Sequence, residues 1–478
     1  MLEISQNFIG GKRIPPCGNE RLEVRFSYDD SLVGTVPLAN RGDVDLAVAA
    51  ARRAFDAGSW PRMAPEERQA VLSKFATLHA ARSDEFASFI CTENASPLWF
   101  TSAVQQGVAP QNAAYLDAAK SYPWEIRQAA FGGQNDTIWR REPVGVVAAV
   151  IPWNAPHQSA LAKLFPALLA GCPVILKLAP ETALDGQFLG EMFMDAGLPE
   201  DVLSILVADR EVSEYLVTHA DVDKVAFTGS TAAGKRIAAA AGDQLKRFSL
   251  ELGGKSATIV LPDADMDMVA ATVRFSGLIN SGQSCIAQTR ILVPRKNQDR
   301  FVEALVADLQ SLTVGDPRKI ETFIGPLVSR RQRDRVAGYI ETGIAEGAKL
   351  AIGGLGMPEG IDKGAFIRPT VFIDVENSMK IAQEEIFGPV LSVIPYDSVD
   401  HAVAIANDSP FGLGGGIWSA DPDDALDVAR RIRTGTLSIN GAHPDFLAPF
   451  GGFKQSGMGR EFGSEGIGQY VEHKAITI

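Results

Sequence analysis

Cys285 is the residue of this chain whose setting is most typical of a chemical role. It follows the small and polar run 280–284 at the end of an apolar helical pattern, and such a loop favours an exposed, ionised thiol over a buried one. Cysteine enzymes that use histidine need a nearby imidazole, yet the six histidines form no evident pairing motif. The thiol therefore needs another activator, such as the positive ring of a cofactor or backbone N–H groups.

Glu251 and Asn154 are two polar residues that could assist such a nucleophile. Glu251 lies just before Gly253 and Gly254, which suits a general base with access to water, although taken alone it is more typical of a solvated loop glutamate. Asn154 follows an apolar run, and its side-chain amide could donate to an oxyanion. Taken alone, this asparagine is more typical of a turn residue that caps the next helix.

Residues 227–235 (FTGSTAAGK) form a segment of small residues between a predicted strand and a predicted helix. Small residues let the backbone approach a phosphate, and the start of a helix offers free N–H groups and a positive dipole end. The segment nearly matches the P-loop of nucleotide triphosphatases, but Arg236 stands where that loop needs Ser or Thr for magnesium. A pyrophosphate site and an ordinary strand–turn–helix connection both stay open.

The elements that would position these residues follow from the spacing of the apolar residues. Between residues 144 and 228, strands and helices alternate with short connections, which predicts a doubly wound parallel sheet that binds ligands beyond the carboxyl ends of its strands. The predicted strands are 144–151, 173–178, 202–207 and 224–228, and the predicted helices are 43–57, 65–81, 83–94, 157–170, 182–196 and 212–218.

A second alternating block begins near Ser256 and predicts a second α/β domain. Residues 122–141 are typical of a projecting hairpin, and residues 469–478 are typical of a strand without an obvious partner in its own chain. The second block contains predicted strands over 257–261, 290–294, 391–396 and 435–440, and predicted helices over 266–280, 297–312 and 330–346.

The composition excludes several classes of protein. A length of 478 residues predicts two or three domains, and a net charge of −13 disfavours nucleic acid and anionic membranes as partners. The other cysteines, Cys17, Cys91 and Cys172, are interpreted as buried small hydrophobes, and no spacing suggests a metal site. A secretory signal and a run of ~18 apolar residues are both missing, so we expect a cytoplasmic protein.

Taken together and in this order, the segments resemble the aldehyde dehydrogenase superfamily over nearly the whole chain. Chance would not place seven such segments in the order of the family. The resembling segments are Pro152-Trp153-Asn154, Lys177, 227–234, 251–255 (ELGGK), 282–285 (GQSC), 384–389 (EEIFGP) and 449–457 (PFGGFKQSG).

The resemblance implies an α/β fold with three parts. A Rossmann-like cofactor domain would take residues 1–121 and 144–253, and a catalytic α/β domain would take residues 254–464. A small β oligomerisation flap would take residues 122–143 and 465–478, which would include the hairpin and the tail strand. A homodimer or a homotetramer is the implied assembly.

The resemblance also implies the oxidation of an aldehyde to a carboxylic acid with NAD(P). Cys285 would be the nucleophile, Asn154 and the backbone N–H of Cys285 would hold the oxyanion, and Glu251 would activate the water that hydrolyses a thioester. The cofactor would be bound by Ile151, Trp153, Lys177, Gly229, Ser230, Leu252, Glu385 and Phe387, with Lys177 at the adenosine ribose, Ser230 at the pyrophosphate, Glu385 at the nicotinamide ribose and Phe387 near the ring.

The chain departs from the common family pattern near the adenosine ribose. Many members carry a glutamate three residues after the lysine, where it accepts from the 2′-hydroxyl and repels a 2′-phosphate. Here Pro180 takes that position, with Glu181 beside it. We expect NAD as the cofactor, and NADP stays open.

The expected substrate tunnel also departs from the pattern, because small residues stand where many members carry large ones. These small residues are Ala155, Ser159 and Ala162. Phe450 would remain as an aromatic wall, and Ile286 would add apolar surface. The wider tunnel predicts a bulky or long hydrophobic aldehyde.

Three other functions remain to be weighed. A coenzyme A-acylating dehydrogenase of the same fold usually lacks the base at the position of Glu251, so the presence of Glu251 disfavours it. A P-loop ATPase is disfavoured by Arg236. A non-catalytic structural protein on this fold would tolerate the loss of Cys285, Glu251 or Asn154, and all three are present.

Overall fold

The computed structural model describes residues 1–443 and 445–478 and contains four β-sheets. The helices are α1 Arg41–Asp56, α2 Pro65–Ala80, α3 Ser83–Asn94, α4 Leu98–Ser121, α5 Pro156–Ala170, α6 Gln187–Ala196, α7 Arg210–Thr218, α8 Thr231–Asp243, α9 Met266–Gly277, α10 Gln298–Gln310, α11 Arg330–Ala345, α12 Lys380–Gln383, α13 Val399–Asn407, α14 Pro422–Ala429 and α15 Gly463–Gly468.

The strands are short, and most of those in the two large sheets are buried. They are β1 Leu2–Glu3, β2 Asn7–Ile9, β3 Lys12–Ile14, β4 Arg21–Arg25, β5 Leu32–Pro37, β6 Glu125–Ala129, β7 Asp136–Pro143, β8 Val147–Val150, β9 Val174–Leu178, β10 Leu203–Val207, β11 Lys224–Thr228, β12 Arg247–Glu251, β13 Ala257–Val260, β14 Arg290–Pro294, β15 Lys349–Ile352, β16 Thr370–Ile373, β17 Val390–Tyr396, β18 Gly415–Trp418, β19 Ser438–Ile439, β20 Gly457–Met458 and β21 Val471–Thr477.

The first large sheet has eight strands in the order β20-β12-β11-β8-β9-β10-β2-β3. Its five central strands are parallel, and β8, β9 and β10 are buried along their whole length, as expected for strands covered on both faces. In register, Val150 lies beside Lys177 and Thr228 beside Glu251. The predicted doubly wound sheet is confirmed, and Lys177 and Glu251 lie at its carboxyl edge.

The second large sheet has seven strands in the order β15-β16-β17-β14-β13-β18-β19, and all except β15 are parallel to their neighbours. Only residues 252–256 separate the carboxyl end of β12 from the amino end of β13. The chain therefore passes directly from the carboxyl edge of the first sheet to the amino edge of the second. Cys285, just before β14, lies at the same amino edge.

The predicted hairpin and the tail strand form one three-stranded antiparallel sheet in the order β21-β7-β6. The tail strand pairs with β7 from Val471 opposite Pro143 to Thr477 opposite Thr137. The sequence pattern left this strand without an obvious partner, and β7 supplies one, because strands distant in sequence pair when the fold brings them together. The remaining small sheet, β1-β5-β4, is formed near the amino terminus.

Two predicted helices need correction, and one long helix was not predicted. The helix predicted over 182–196 begins only at Gln187. Pro180–Thr182 forms a separate 3-10 turn, and the Glu93 carboxylate accepts the N–H groups of Leu184 and Asp185 between the turn and the helix. The helix predicted over 266–280 ends at Gly277, and Asn280 then takes a left-handed conformation. The longest helix, α4, was not predicted, since a proline lies inside its 24 residues and interrupts the periodic pattern.

Asn154 lies two residues before helix α5, and a tyrosine hydroxyl from α4 stabilises this helix. Pro166 lies inside this helix and has no N–H to donate to the carbonyl of Ala162, four residues earlier. The buried Tyr115 hydroxyl of α4 donates to that carbonyl at 3.0 Å and accepts the N–H of Phe462 at 2.9 Å. One phenol thereby joins α4, α5 and the chain that leads into α15.

Candidate active site

The segment before Cys285 is held in a strained conformation. Asn280, Ser281 and Gly282 have φ of +51°, +55° and +75°, a left-handed run that non-glycine residues seldom adopt. At Gly282 a β-carbon would overlap the carbonyl oxygen of Gly388, so only glycine fits. Such strain persists only where the surrounding structure imposes it, and it is common at functional sites.

Buried hydrogen bonds hold this segment in place. The Ser281 hydroxyl donates to the Gly325 carbonyl and accepts the Gly325 N–H, both at 3.1 Å. The Gln283 side-chain oxygen accepts the N–H of Val328 at 2.9 Å. The nucleophile segment is thus tied to residues 325–328, and it is not the loosely held loop expected from its small residues.

The Cys285 thiol is half-buried, and its surroundings disfavour the thiolate. Burial, with the Glu385 and Glu251 carboxylates, raises the pKa of the Cys285 thiol to about 12. Removal from water penalises the charged form of the thiol, so a thiolate at Cys285 needs a stabilising group. The sequence also predicted that a group other than histidine activates this thiol, and that prediction fits the geometry. The backbone N–H of Cys285 lowers the pKa of the thiol. Cys91 and Cys172 are buried as predicted, whereas Cys17 is exposed, contrary to prediction.

Asn154 contacts the nucleophile segment directly. Its side-chain Nδ2 donates to the Gln283 carbonyl at 3.1 Å, and the Asn280 amide donates back to the Asn154 carbonyl at 3.3 Å. An amide carries two N–H donors, so Asn154 retains one for a developing oxyanion. The alternative role as a helix cap is wrong, since the residue before α5 is Ala155 and no side chain caps this helix.

Glu251 ends strand β12 and is only 6% exposed, so it is not a solvated loop glutamate. Burial, with the nearby Glu461 carboxylate, raises the pKa of Glu251 well above its usual range, while Lys163 and Arg460 act in the opposite direction. Its Oε2 has no hydrogen-bond partner among residues 1–443 and 445–478. A buried acceptor of this kind suits a water molecule.

Lys163 and Glu461 are residues beside Glu251 that the sequence analysis missed. The Lys163 ammonium, on α5, donates to the Thr228 hydroxyl at 2.6 Å and to the Glu461 carboxylate at 2.5 Å, and Lys163 is 1% exposed. A lysine within an otherwise apolar helix face is a signal that could have indicated a role. Glu461 offers no comparable signal in its local sequence.

The carboxyl edge of the first sheet offers groups that suit a ribose. Lys177, near the end of β9, is 9% exposed, and burial lowers the pKa of Lys177 to about 8. The Ile151 N–H donates to the Lys177 carbonyl at 3.2 Å, which fixes the neighbouring backbone. Pro180–Thr182 forms a 3-10 turn. The Glu181 carboxylate in this turn acts to raise the pKa of Lys177 and lies 3.4 Å from the Arg331 guanidinium.

The amino end of α8 offers groups that suit a diphosphate. Ser230 is the N-cap residue, and its hydroxyl accepts the N–H of Ala233 at 3.3 Å. Gly229 precedes Ser230, and a β-carbon at Gly229 would lie 2.5 Å from the Phe227 ring. Glycine therefore fits at this position, and its backbone is not covered by a side chain of its own. The helix packs tightly on Leu252 through Gly234, where a β-carbon would lie 2.5 Å from the leucine side chain.

Glu385 and Phe387 lie on the far side of the site. The Glu385 carboxylate accepts the Gly254 N–H at 3.1 Å, and burial raises the pKa of Glu385 to about 6. Phe387 has a left-handed φ of +62° and packs edge-on against Trp153, with ring centroids 5.4 Å apart. Gln332, on α11, donates to the Phe387 carbonyl at 2.7 Å. The two predicted cofactor loops therefore meet across the Trp153–Phe387 contact.

The five expected tunnel residues differ in their exposure. Ala155 and Ser159 are half-buried at the start of α5, and Ala162 is buried one turn further on. Ile286 is exposed beside Cys285, and Phe450 is half-buried with its ring centroid 5.7 Å from that of Phe462.

The donor set fits a dinucleotide. A helix amino terminus suits the diphosphate, the Lys177 ammonium and the Glu385 carboxylate suit ribose hydroxyls, and the close approach of Gly253 to Glu385 leaves no room for a larger residue. No cluster of ligating side chains that could hold a metal is found in the described residues. None of their helices combines the length and apolar character required to cross a membrane.

The fold and these groups define a cofactor-dependent oxidoreductase built on a Rossmann-like sheet and a second α/β sheet. The family model described as the aldehyde dehydrogenase family matches residues 14–476. The chain belongs to the aldehyde dehydrogenase family, and the predicted NAD(P)-dependent aldehyde dehydrogenase is confirmed.

Known relatives and solved structures cover almost the whole chain. The chain is 44% identical to a geranial dehydrogenase of Castellaniella defragrans over 98% of both chains. It is similar to a Mycobacterium tuberculosis aldehyde dehydrogenase solved with NAD+, with a TM-score of 0.96, 45% identity and coverage of 100% of this chain and 98% of that one. A Pseudomonas syringae aldehyde dehydrogenase solved with NAD+ and octanal has a TM-score of 0.95 and 38% identity, covering 99% and 96%.

Proposed function

We propose that this chain oxidises a long or bulky hydrophobic aldehyde to its carboxylic acid with NAD, through a thioester on Cys285 that Glu251 hydrolyses. The observation that carries the proposal is the direct contact of the Asn154 amide with the backbone two residues before the Cys285 thiol. The buried carboxylate of Glu251 at the end of β12 completes a nucleophile, an oxyanion donor and a base.

Cys285 attacks the aldehyde carbon, so that a C–S bond forms and the carbonyl electron pair moves to oxygen. The Asn154 amide and the Cys285 N–H hold the oxyanion. Loss of one such donor costs about 3–4 kcal/mol of transition-state stabilisation. NAD supplies the hydride acceptor that turns the thiohemiacetal into a thioester, and Lys177, Ser230, Glu385 and Phe387 are the residues that would hold it.

Glu251 activates the water that releases the acid and returns the thiol. Its raised pKa makes it a stronger base once ionised. Lys163 and Glu461 tune that pKa in opposite directions, so we assign them to positioning the charge around the base. This hydrolysis disfavours coenzyme A as an acceptor.

NAD is favoured over NADP by the charge beside Lys177. Pro180 has no carboxylate, but Glu181 provides one within the field of Lys177, and a carboxylate there repels a 2′-phosphate. The cofactor preference is measured as the ratio of kcat/KM for NAD and NADP, and a clear preference for NADP would contradict this assignment.

A hydrophobic substrate is supported by the small residues at the start of α5. The facing helix α4 has Gly107, where a β-carbon would lie 4.0 Å from the Phe446 ring, and Phe446 packs edge-on against Phe462. Small side chains beside several aromatic rings suit an isoprenoid, aromatic or long alkyl chain. The name of the geranial dehydrogenase relative and the octanal in the related crystal structure agree with this class.

Filling the tunnel tests the substrate class. Ala162→Trp is expected to lower kcat/KM for long or branched aldehydes by at least tenfold and to change it little for acetaldehyde, because a lost methylene-sized contact already changes discrimination about 10–200-fold. Gly338→Ala on α11, where an added β-carbon meets nothing, is the control. Equal effects on short and long aldehydes would contradict the tunnel assignment.

The central experiment follows the absorbance of reduced nicotinamide with short, long, aromatic and isoprenoid aldehydes, each with NAD and with NADP. Wild type is expected to form reduced cofactor and acid without coenzyme A. Cys285→Ala is expected to form neither, whereas Cys17→Ala, a change at an exposed cysteine, keeps the activity. Equal rates in wild type and Cys285→Ala would overturn the proposal.

We also propose that residues 1–121 and 144–253 form the cofactor domain, 254–464 the catalytic domain, and 122–143 with 465–478 an oligomerisation flap. The flap contains the sheet β21-β7-β6. Trp139 on β7, Phe131 in the turn between β6 and β7, and Ile478 just after β21 are exposed. Exposed apolar side chains on a projecting sheet favour an interface between copies of the chain, in a homodimer or a homotetramer.

A further inference from the structure

We propose that Asn94 is a positioning residue that holds the oxyanion donor Asn154 in its working orientation. This inference rests on the proposed function, in which Asn154 binds the oxyanion. Asn94 is the last residue of α3 and is 1% exposed. Its side-chain Nδ2 donates to the carbonyl of Trp153 at 2.9 Å, and Trp153 directly precedes Asn154.

The side chain of Asn94 is itself held in one orientation. Its Oδ1 accepts the N–H of Ser96 at 3.0 Å, which closes an Asx turn. Ala95 between them has a left-handed φ of +60°, a conformation that is unfavourable for a residue with a β-carbon. The turn fixes the amide oxygen and leaves the Nδ2 group directed at Trp153.

A second amide holds the next carbonyl along the chain. The Asn280 Nδ2 donates to the Asn154 carbonyl at 3.3 Å. The carbonyls of Trp153 and Asn154 are thus each bound by a buried asparagine, one from the end of α3 and one from the nucleophile segment. With both carbonyls bound, the peptide groups on either side of the Asn154 α-carbon cannot rotate freely, and the direction of its side chain is set.

The end of α3 is firmly anchored, so it can serve as a fixed support. Glu93, the neighbour of Asn94, accepts the N–H groups of Leu184 and Asp185 at 2.6 and 3.1 Å. Oxyanion stabilisation depends on donors placed correctly before the reaction, and a displacement of about 1 Å can cost roughly 100-fold in rate. Loss of the Asn94 amide therefore weakens catalysis although Asn94 contacts no reacting atom.

A double-mutant cycle separates this role from a loss of stability. Asn94→Ala is expected to lower kcat by about 10–100-fold and to leave the dissociation constant for NAD, measured by protein fluorescence, within about twofold. In an Asn154→Ala background, the same change is expected to lower kcat by less than about twofold, because interactions that act through one residue are not additive. Asn94→Asp, which keeps the shape but loses the donor, is expected to match Asn94→Ala.

Asn407→Ala is the matched control, since the Asn407 amide also bridges the backbone, from Nδ2 to the Arg431 carbonyl at 2.9 Å and from Oδ1 to the Arg433 N–H at 2.7 Å. It is expected to lower the melting temperature without changing kcat. Losses from Asn94→Ala and Asn154→Ala that multiply, or a crystal structure of Asn94→Ala with the Trp153 carbonyl unmoved, would overturn the proposal. The wild-type rate reports on the proposed function separately.

Discussion

At the scale of single residues, burial sets the charge of the groups that would react. It raises the pKa of Cys285, of Glu251 and of Glu385 together. Burial therefore disfavours the charged form of each of these three groups. A positive cofactor ring near the thiol would favour the thiolate by the same Coulombic argument.

Substitutions at Lys163 and Glu461 are expected to shift the pKa of Glu251 in opposite directions. Lys163→Met removes the cation that lowers the pKa of Glu251, so this pKa rises and the acid limb of the kcat–pH profile moves to higher pH. Glu461→Gln removes the carboxylate that raises it, so the limb moves to lower pH. The profiles are measured under conditions where hydrolysis limits turnover, with Asn407→Ala as the control. Shifts in the same direction would contradict the assignment.

At the scale of elements, the contact between α4 and α5 decides where the site residues stand. Pro166 leaves the Ala162 carbonyl without its helical partner, and Tyr115 replaces that partner. The same hydroxyl binds the Phe462 N–H next to Glu461. The contact between α4 and α5 therefore positions both Ala162, on the proposed tunnel side of α5, and the chain next to Glu461, the carboxylate near Glu251.

Tyr115→Phe is expected to destabilise the protein by about 1–3 kcal/mol, because the Ala162 carbonyl and the Phe462 N–H would be left buried without a partner. The free energy of unfolding is measured by urea denaturation. Pro166→Ala supplies a new helical N–H to the Ala162 carbonyl, so adding it to Tyr115→Phe is expected to recover part of the loss. A double variant no more stable than Tyr115→Phe would contradict this explanation.

At the scale of the whole molecule, the last strand of the chain pairs with a strand that lies more than 300 residues earlier in the sequence. Strand β21 pairs along seven residues with β7, and its side chains are mostly exposed. A sheet with this much exposed surface has little core of its own. Contact with another copy of the chain would supply the missing cover.

Trp139→Glu and Ile476→Glu are each expected to lower the molar mass in solution toward that of a monomer, because a charge on an apolar interface is costly to bury. Light scattering coupled to size-exclusion chromatography measures the mass. Met268→Glu, at a residue of α9 that is also exposed, is expected to leave the mass unchanged. A monomeric wild type would contradict the proposed flap.

Much of the fold was predictable because the apolar pattern is strong where strands are fully buried. Strands β11 and β14 were predicted with their observed bounds, and α3 likewise. Predictions failed where a distant group changed the local outcome. The Glu93 carboxylate binds the N–H groups of Leu184 and Asp185 just before α6, and such a contact leaves no trace in the neighbouring sequence.

The sequence by itself determined the family, the parallel sheet and the types of the reacting groups, because apolar periodicity and motif order are local properties of the chain. Only the tertiary structure decided the burial of Cys285 and Glu251, the register of the tail strand on β7, and the contacts of Lys163, Glu461 and Asn94. These depend on burial and on contacts between residues far apart in the chain, such as Lys163 with Glu461. Desolvation and long-range hydrogen bonds arise only when the chain is folded.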